Sequence, residues 1–319
     1  VCRWFYAEES RYRAGASMGK WRMDCKGRMI IFAENSTMMK ELETSWKSGD
    51  GLRIHARIWE PEGGDCRGVV VLVHGIGEHT GRYFHVAEAF TGKGLVFFAP
   101  DMRGHGLSEG KRGHLPAEET ILSDIDGYME NARERYSGLP VFLYGHSLGG
   151  ILVLYYGLMR REGLSGVICT SPGLRNALQE QPAKVMAARV LGTLFPGVTI
   201  SSGLDSSAIS RDPEVVARYR MDSLVHDRMS LGFGKVMLGV IAHTLGHIGE
   251  FPHPLLVMHG TADTIAYMAG SEQVAGALGG KCTWVPWAGF YHELHNEPAK
   301  KEVLEVMTGW VNDKLPPQG

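Results

Sequence analysis

The chain predicts an α/β fold: a mostly parallel sheet of eight strands with helices on both faces and an inserted helical cap. Three observations carry this expectation. The runs at 68–73 (GVVVLV) and 95–99 (LVFFA) are apolar without alternation, as strands buried on both faces are. Helical spacing fills the segments between such runs. At 141–150 the sequence VFLYGHSLGG passes from an apolar strand through a glycine-bounded serine into an apolar helix. That is the setting of a G-x-S-x-G elbow, a sharp strand-to-helix turn that pushes a serine hydroxyl out of the sheet.

Composition admits this fold and narrows its company. Of 319 residues, 44% are hydrophobic and 21% charged, ordinary for a globular chain. With 33 basic and 35 acidic residues the net charge is −2, which gives no argument for nucleic acid or an anionic membrane surface as partner. The five cysteines, at 2, 25, 66, 169 and 282, are odd in number and form no C-x-x-C. They point to a reducing compartment, so a cytoplasmic location, peripheral at membranes, is expected. No apolar run approaches the ~20 residues of a membrane span, and 29–33 is too short for a secretory signal.

Residues 1–40 show no helical or strand period. They read as a leader outside the fold, the alternative being an extension packed on the body. The core is expected at 41–172 and 254–315. Strands at 42–46 and 52–59 flank the turn sequence SGDG and form an edge hairpin. The strand at 68–73 runs into His74-Gly75-Ile76-Gly77. A helix at 82–89, a strand at 95–99, a helix at 118–136, the elbow strand at 141–144, its helix at 150–160 and a strand at 166–170 follow. The alternation then breaks over 173–253, which reads as a helical cap with helices at 182–194 and 228–243. Pro182 suits a first helical turn, where no N–H is needed. Strands at 254–258 and 281–286, with helices at 270–278 and 298–312, complete the sheet.

A serine nucleophile needs a base, and the base needs an orienting group. Reactive groups in such folds lie beyond the carboxyl ends of the strands. Asp263 and His292 lie just past two such ends, and Ser147 lies past a third. Alone, Asp263 reads equally as a turn residue and His292 as a surface histidine. Together they supply the missing partners of Ser147. Two N–H donors for an oxyanion are expected from Leu148, at the head of the elbow helix, and Ile76, in the loop after the third strand. The glycines around Ile76 also read simply as a tight turn. His243 and His247, four apart with Glu250 nearby, lack the glutamate of a zinc helix and read as packed or exposed side chains. His105 and Ser108 read as turn residues, and Cys169 as inert core.

The segments HGIGEHTGRY, DMRGHGLSEG, GHSLGG, HGTAD and YHELHNEP together resemble the monoacylglycerol lipase group of serine α/β-hydrolases, over 42–313. The resemblance implies an α/β-hydrolase fold, a Ser147, Asp263 and His292 triad, and an oxyanion hole at Ile76 and Leu148. It implies no cofactor and no metal, a lipid ester as the partner molecule, and an acyl channel under the cap. It also implies a polar pocket for glycerol hydroxyls at Glu78, Arg82, His146 and His295. The other reading of those residues is a local Glu78–Arg82 ion pair with His295 facing solvent. The segment 264–268 lacks the proline often found after the acid, and the cap matches only at 219–228. Both departures bear on substrate choice, so a general carboxylesterase, lysophospholipase or thioesterase stands as the alternative. A non-catalytic binding protein on this fold is the reading of a different class. Ala183, Met186, Ala187, Val190, Leu191 and Leu194 recur at helical spacing before Phe195. This stripe is expected to line the acyl site and to meet lipid interfaces in transient contact, or else to pack on the sheet domain.

Overall fold

A computed structural model describes residues 20–23, 29–32, 39–177 and 180–316. The chain divides into two compact units, 1–37 and 38–319. In the first, Lys20–Met23 pairs antiparallel with Met29–Phe32, a hairpin where no strand period was legible. Met39 and Lys40, expected to belong to the leader, instead open the first strand of the second unit, pairing with Pro61 and Glu60; the rest of the expected leader lies outside the described residues.

The second unit is built on eight strands: β1 (Met39–Lys47), β2 (Arg53–Pro61), β3 (Gly68–Val73), β4 (Leu95–Pro100), β5 (Val141–His146), β6 (Gly166–Thr170), β7 (Leu255–Gly260) and β8 (Cys282–Trp287). Their order across the sheet is β8-β7-β6-β5-β3-β4-β2-β1. β1 pairs antiparallel with β2, and β2 with β4; every other pairing is parallel. This is the eight-stranded α/β-hydrolase sheet.

The helices are α1 (Phe84–Thr91), α2 (Glu118–Arg135), α3 (Leu148–Met159), α4 (Pro182–Leu194), α5 (Pro213–Met221), α6 (Leu231–His247), α7 (Ala269–Leu278) and α8 (Lys300–Asn312). The two-residue period of β3 separates two apolar cores. Val69, Val71 and Val73 point into one with Ile121 and Ile125 of α2 and Val153 of α3. Val70 and Leu72 point into the other with Phe90 of α1 and Met307 of α8. A strand covered on both faces has no reason to alternate polar and apolar residues, so GVVVLV is apolar throughout.

Residues 173–253 hold α4, α5 and α6, and also a ribbon the sequence did not suggest, Thr199–Ser201 paired antiparallel with Arg228–Ser230. Ribbon pairing takes 228–230 out of the expected helix. Ser230 instead caps α6 by accepting from the Phe233 N–H at 3.1 Å. α5 was missed, although Asp212 caps it and Pro213 opens it. Leu231–Glu250 is long and apolar enough to cross a membrane, contrary to the expectation that no run comes close. In the fold α6 packs against α3 and α4.

Candidate active site

The site begins with strain at Ser147. Between β5 and α3 it adopts φ 54°, ψ −112°, a conformation costing of order 1–3 kcal/mol that surrounding structure must hold. Its N–H is fixed by the Thr170 carbonyl at 2.9 Å. A Cβ at Gly145 would strike the Gly149 carbonyl, and one at Gly149 would strike the Val73 carbonyl. The glycines therefore let strand, turn and helix approach closely enough to expose the hydroxyl.

The Ser147 Oγ lies 2.8 Å from Nε2 of His292, and Nδ1 of His292 lies 2.7 Å from Oδ2 of Asp263. Thus three loops, after β5, β7 and β8, bring one hydroxyl, one imidazole and one carboxylate into a continuous hydrogen-bonded line. Oδ1 of Asp263 accepts the N–H groups of Ile265 and Ala266 at 2.8 and 3.0 Å. Burial works against the Asp263 charge, but His292 and His259 outweigh it and hold the carboxyl well below the usual carboxylate range. Burial likewise disfavours the His292 cation, yet Asp263 outweighs burial and raises its affinity for a proton. Ser171 is the other described non-glycine residue with positive φ. Its buried Oγ meets no partner.

The two expected N–H donors border the same space. Leu148 is the first residue of α3, so its N–H is one of the helix-start donors left without an intrahelical acceptor. Next to Ile76, the Gly75 N–H is taken by Oε1 of Glu78 at 2.6 Å. His74 braces this loop: Nδ1 donates to the Gly75 carbonyl at 2.8 Å, and Nε2 accepts the Met102 N–H at 3.0 Å. Burial lowers the proton affinity of His74, which keeps it neutral for that double role. Ile76, Ser147 and Leu148 open on a cleft of about 380 Å³ whose apolar wall includes Ile151, Met229, Phe233, Met237 and Ile241.

Glu78, Arg82, His146 and His295 divide into two layers. Glu78 and His146 border a small chamber beside Ser147 and His292, together with Tyr219 and Glu293. Arg82 and His295 stand behind them. Arg82 Nη1 donates to Glu78 Oε2 at 2.8 Å and to Glu293 Oε1 at 2.7 Å, while Nη2 reaches Glu293 Oε2 at 2.6 Å. Burial opposes the Arg82 charge, but Glu293 and Glu78 outweigh it and hold the guanidinium firmly protonated. The ring of Tyr219, from α5, lies 4.7 Å from that guanidinium. His295 is fully buried, stacked 4.8 Å from Tyr83 and set edge-on to His146 at 4.8 Å. Burial, reinforced by neighbouring histidines, lowers the proton affinity of both His146 and His295. The expected ion pair is therefore present, but His295 does not face solvent.

Two participants were not expected. Glu293 gives Arg82 a second carboxylate, signalled only by an acid adjoining His292. His259 lies 3.2 Å from Asp263 Oδ2 and receives Ser271 Oγ at 2.7 Å; its spacing of four before Asp263 was the available sign. The remaining candidates sit elsewhere. Ser108 Oγ donates to the Asp101 carbonyl and accepts the His55 N–H, closing its own loop, and the His105 ring meets that of His226. Cys169 is buried beside α3. His243 and His247 stack at 4.3 Å. Among the described residues no three His, Cys, Asp or Glu side chains converge as metal ligands would.

The expected stripe on α4 does not border the cleft among the described residues; α6 takes that place. Met186, Val190, Leu191, Leu194 and Phe195 are exposed, between 42% and 64%.

Comparison with known proteins identifies the family and the fold. A family model described as serine aminopeptidase, S33, matches residues 64–299. A monoacylglycerol lipase of Mycolicibacterium smegmatis is 37% identical over 275 residues, covering 86% of this chain and 98% of that one. The mouse monoglyceride lipase is 30% identical, covering 85% of this chain and 91% of its own length. The crystal structure of the Paleococcus ferrophilus monoacylglycerol lipase, 33% identical, superimposes with a TM-score of 0.73 over 87% of this chain and 99% of that one. The chain belongs to the monoacylglycerol lipase-like family of serine α/β-hydrolases, a family of acylglycerol lipases and esterases.

Proposed function

We propose that this enzyme cleaves single-chain carboxylic esters through an acyl-enzyme, with monoacylglycerols as its substrates. The carrying observation is the line from Asp263 through His292 to Ser147, opening on an apolar cleft. His292 Nε2 takes the Ser147 proton as Oγ bonds to the ester carbonyl carbon. The carbonyl oxygen becomes an oxyanion, received by the N–H groups of Ile76 and Leu148. The C–O bond to the alcohol then breaks, and the proton on His292 leaves with the alcohol. A water molecule next gives a proton to Nε2 and attacks the acyl carbon. Collapse of the second oxyanion returns that proton to Ser147 and releases the carboxylic acid. Asp263 keeps Nδ1 protonated and compensates the imidazolium formed in each half. The relatives named as monoacylglycerol lipases support the substrate, and so does the polar chamber on the alcohol side. An apolar cleft facing a chamber bordered by Glu78 and Glu293 suits one acyl chain and one hydroxylated leaving group. The exposed apolar residues of α4 and Phe195 are proposed to touch the lipid surface that presents the substrate.

Glu78→Gln tests the alcohol site, because Gln keeps the acceptor for Gly75 and loses the charge. Against a monoacylglycerol, kcat/KM is expected to fall by about 5- to 150-fold, or roughly 1–3 kcal/mol for a poorly paired buried group. Against a p-nitrophenyl ester of equal chain length the change stays within about threefold. Equal losses on both substrates would return the reading to a general carboxylesterase.

A further inference from the structure

Gly234 lacks the usual reasons for a glycine within a helix. It lies near the start of α6 and has no positive φ. A Cβ built on it meets nothing closer than the Met229 methyl, at 3.7 Å. Its neighbour Gly232 differs, since a Cβ there would crowd the Pro196 carbonyl. Glycine weakens a helix relative to alanine, and Gly239 and Gly246 of α6 are uncrowded too, but neither of those borders the cleft. Gly234 borders the cleft that begins at Ser147, followed along α6 by Met237, Leu238 and Ile241.

The direction of travel is fixed by the packing of α6 on α3. Leu148 and Leu152, near the nucleophile, share a small apolar chamber with Phe233. Farther along both helices, the Tyr155 ring meets that of His243 at 5.5 Å. The two helices therefore run in the same sense, and distance from Ser147 grows with residue number on α6. Gly234 comes first, Met237 about one turn later and Ile241 about two turns later. At 1.5 Å per residue the span from 234 to 241 is about 10 Å. An extended chain advances roughly 1.2 Å per bond, so about eight or nine bonds fit alongside.

We propose that this face of α6 measures the acyl chain. Gly234 is the opening a chain passes, and Met237 and Ile241 form the stop beyond it. The proposal rests on the ester-hydrolase reading above and names the part of that site which selects chain length.

The test is kcat/KM of the full chain on p-nitrophenyl butyrate, decanoate and palmitate. Gly234→Leu places a side chain in the opening, and the decanoate-to-butyrate ratio is expected to fall at least tenfold. Gly234→Ala should lower it by about two- to fivefold. Ile241→Phe shortens the far end, lowering the palmitate-to-butyrate ratio at least tenfold and the decanoate ratio by less. Ratios within twofold of wild type in Gly234→Leu and Ile241→Phe overturn the gauge, as does a uniform loss on all three esters. If thermal melting shows that Gly234→Leu does not fold, Gly234→Ala and Ile241→Phe decide by the same ratios. Absence of Ser147-dependent ester cleavage in the wild type would defeat the hydrolase reading; cleavage with unaltered ratios would defeat only the gauge.

Discussion

His292 is pulled in opposite directions. Burial disfavours its cation, while the Asp263 carboxylate 2.7 Å away favours it more strongly, and the balance lies on the side of protonation. A base must be neutral to take the Ser147 proton, so activity falls as pH drops through this raised value. The acid limb of kcat/KM is therefore expected above the ~6.5 of an unperturbed imidazole. Asp263→Asn removes the raising charge and leaves the burial, so the limb moves to lower pH while the rate falls by about 10⁴. A pH–rate profile checks both, and a limb that stays fixed in the variant would contradict this electrostatic account. The hydrogen-bonded line of Ser147, His292 and Asp263 was legible because each of the three follows a strand that could be read from its apolar run. His259 and Glu293 were not legible, because their roles are contacts: one packs behind Asp263 and the other reaches Arg82 across 211 residues of sequence.

Among the elements, α3 and α4 show what hydrophobic pattern can and cannot say. α3 is apolar on all sides and buried from Leu148 to Leu158, and the run GILVLYYGLMR at 150–160 announced it. α4 carries an apolar stripe at helical spacing, normally the mark of a core-facing side, yet its stripe is exposed. Periodicity identifies a helix and its apolar face; it does not identify what covers that face. α6, which does border the cleft, was legible as a helix, but its beginning was misplaced by three residues because ribbon pairing with 199–201 is a non-local event. If α4 meets lipid, replacing both Leu191 and Leu194 with Asp should weaken sedimentation with phosphatidylcholine vesicles by at least tenfold, since each leucine contributes about 1.5–3 kcal/mol when buried. Turnover of a water-soluble butyrate ester should stay within about twofold, because α4 does not border the cleft. Unchanged vesicle binding would refute a lipid-facing role for α4.

At the scale of the second unit, the sheet is a frame that delivers loops to one edge. β3, β5, β7 and β8 are parallel members of it, so the segments leaving their carboxyl ends emerge on the same side. Those segments hold Ile76, Ser147, Asp263 and His292. Sequence order thus becomes spatial assembly through parallel pairing alone, which is why the fold and the candidate site could be read together. The contacts from the cap were harder to read, because Tyr219 meets Arg82 only after α5 has packed. Every step of the proposed chemistry passes through Ser147 as the nucleophile. The most direct test of that role is intact-protein and peptide mass spectrometry after reaction with a fluorophosphonate. One adduct per chain is expected, located on Ser147, with ester cleavage lost in step with labelling. An adduct on another serine, or full activity in a chain fully labelled at Ser147, would contradict that role.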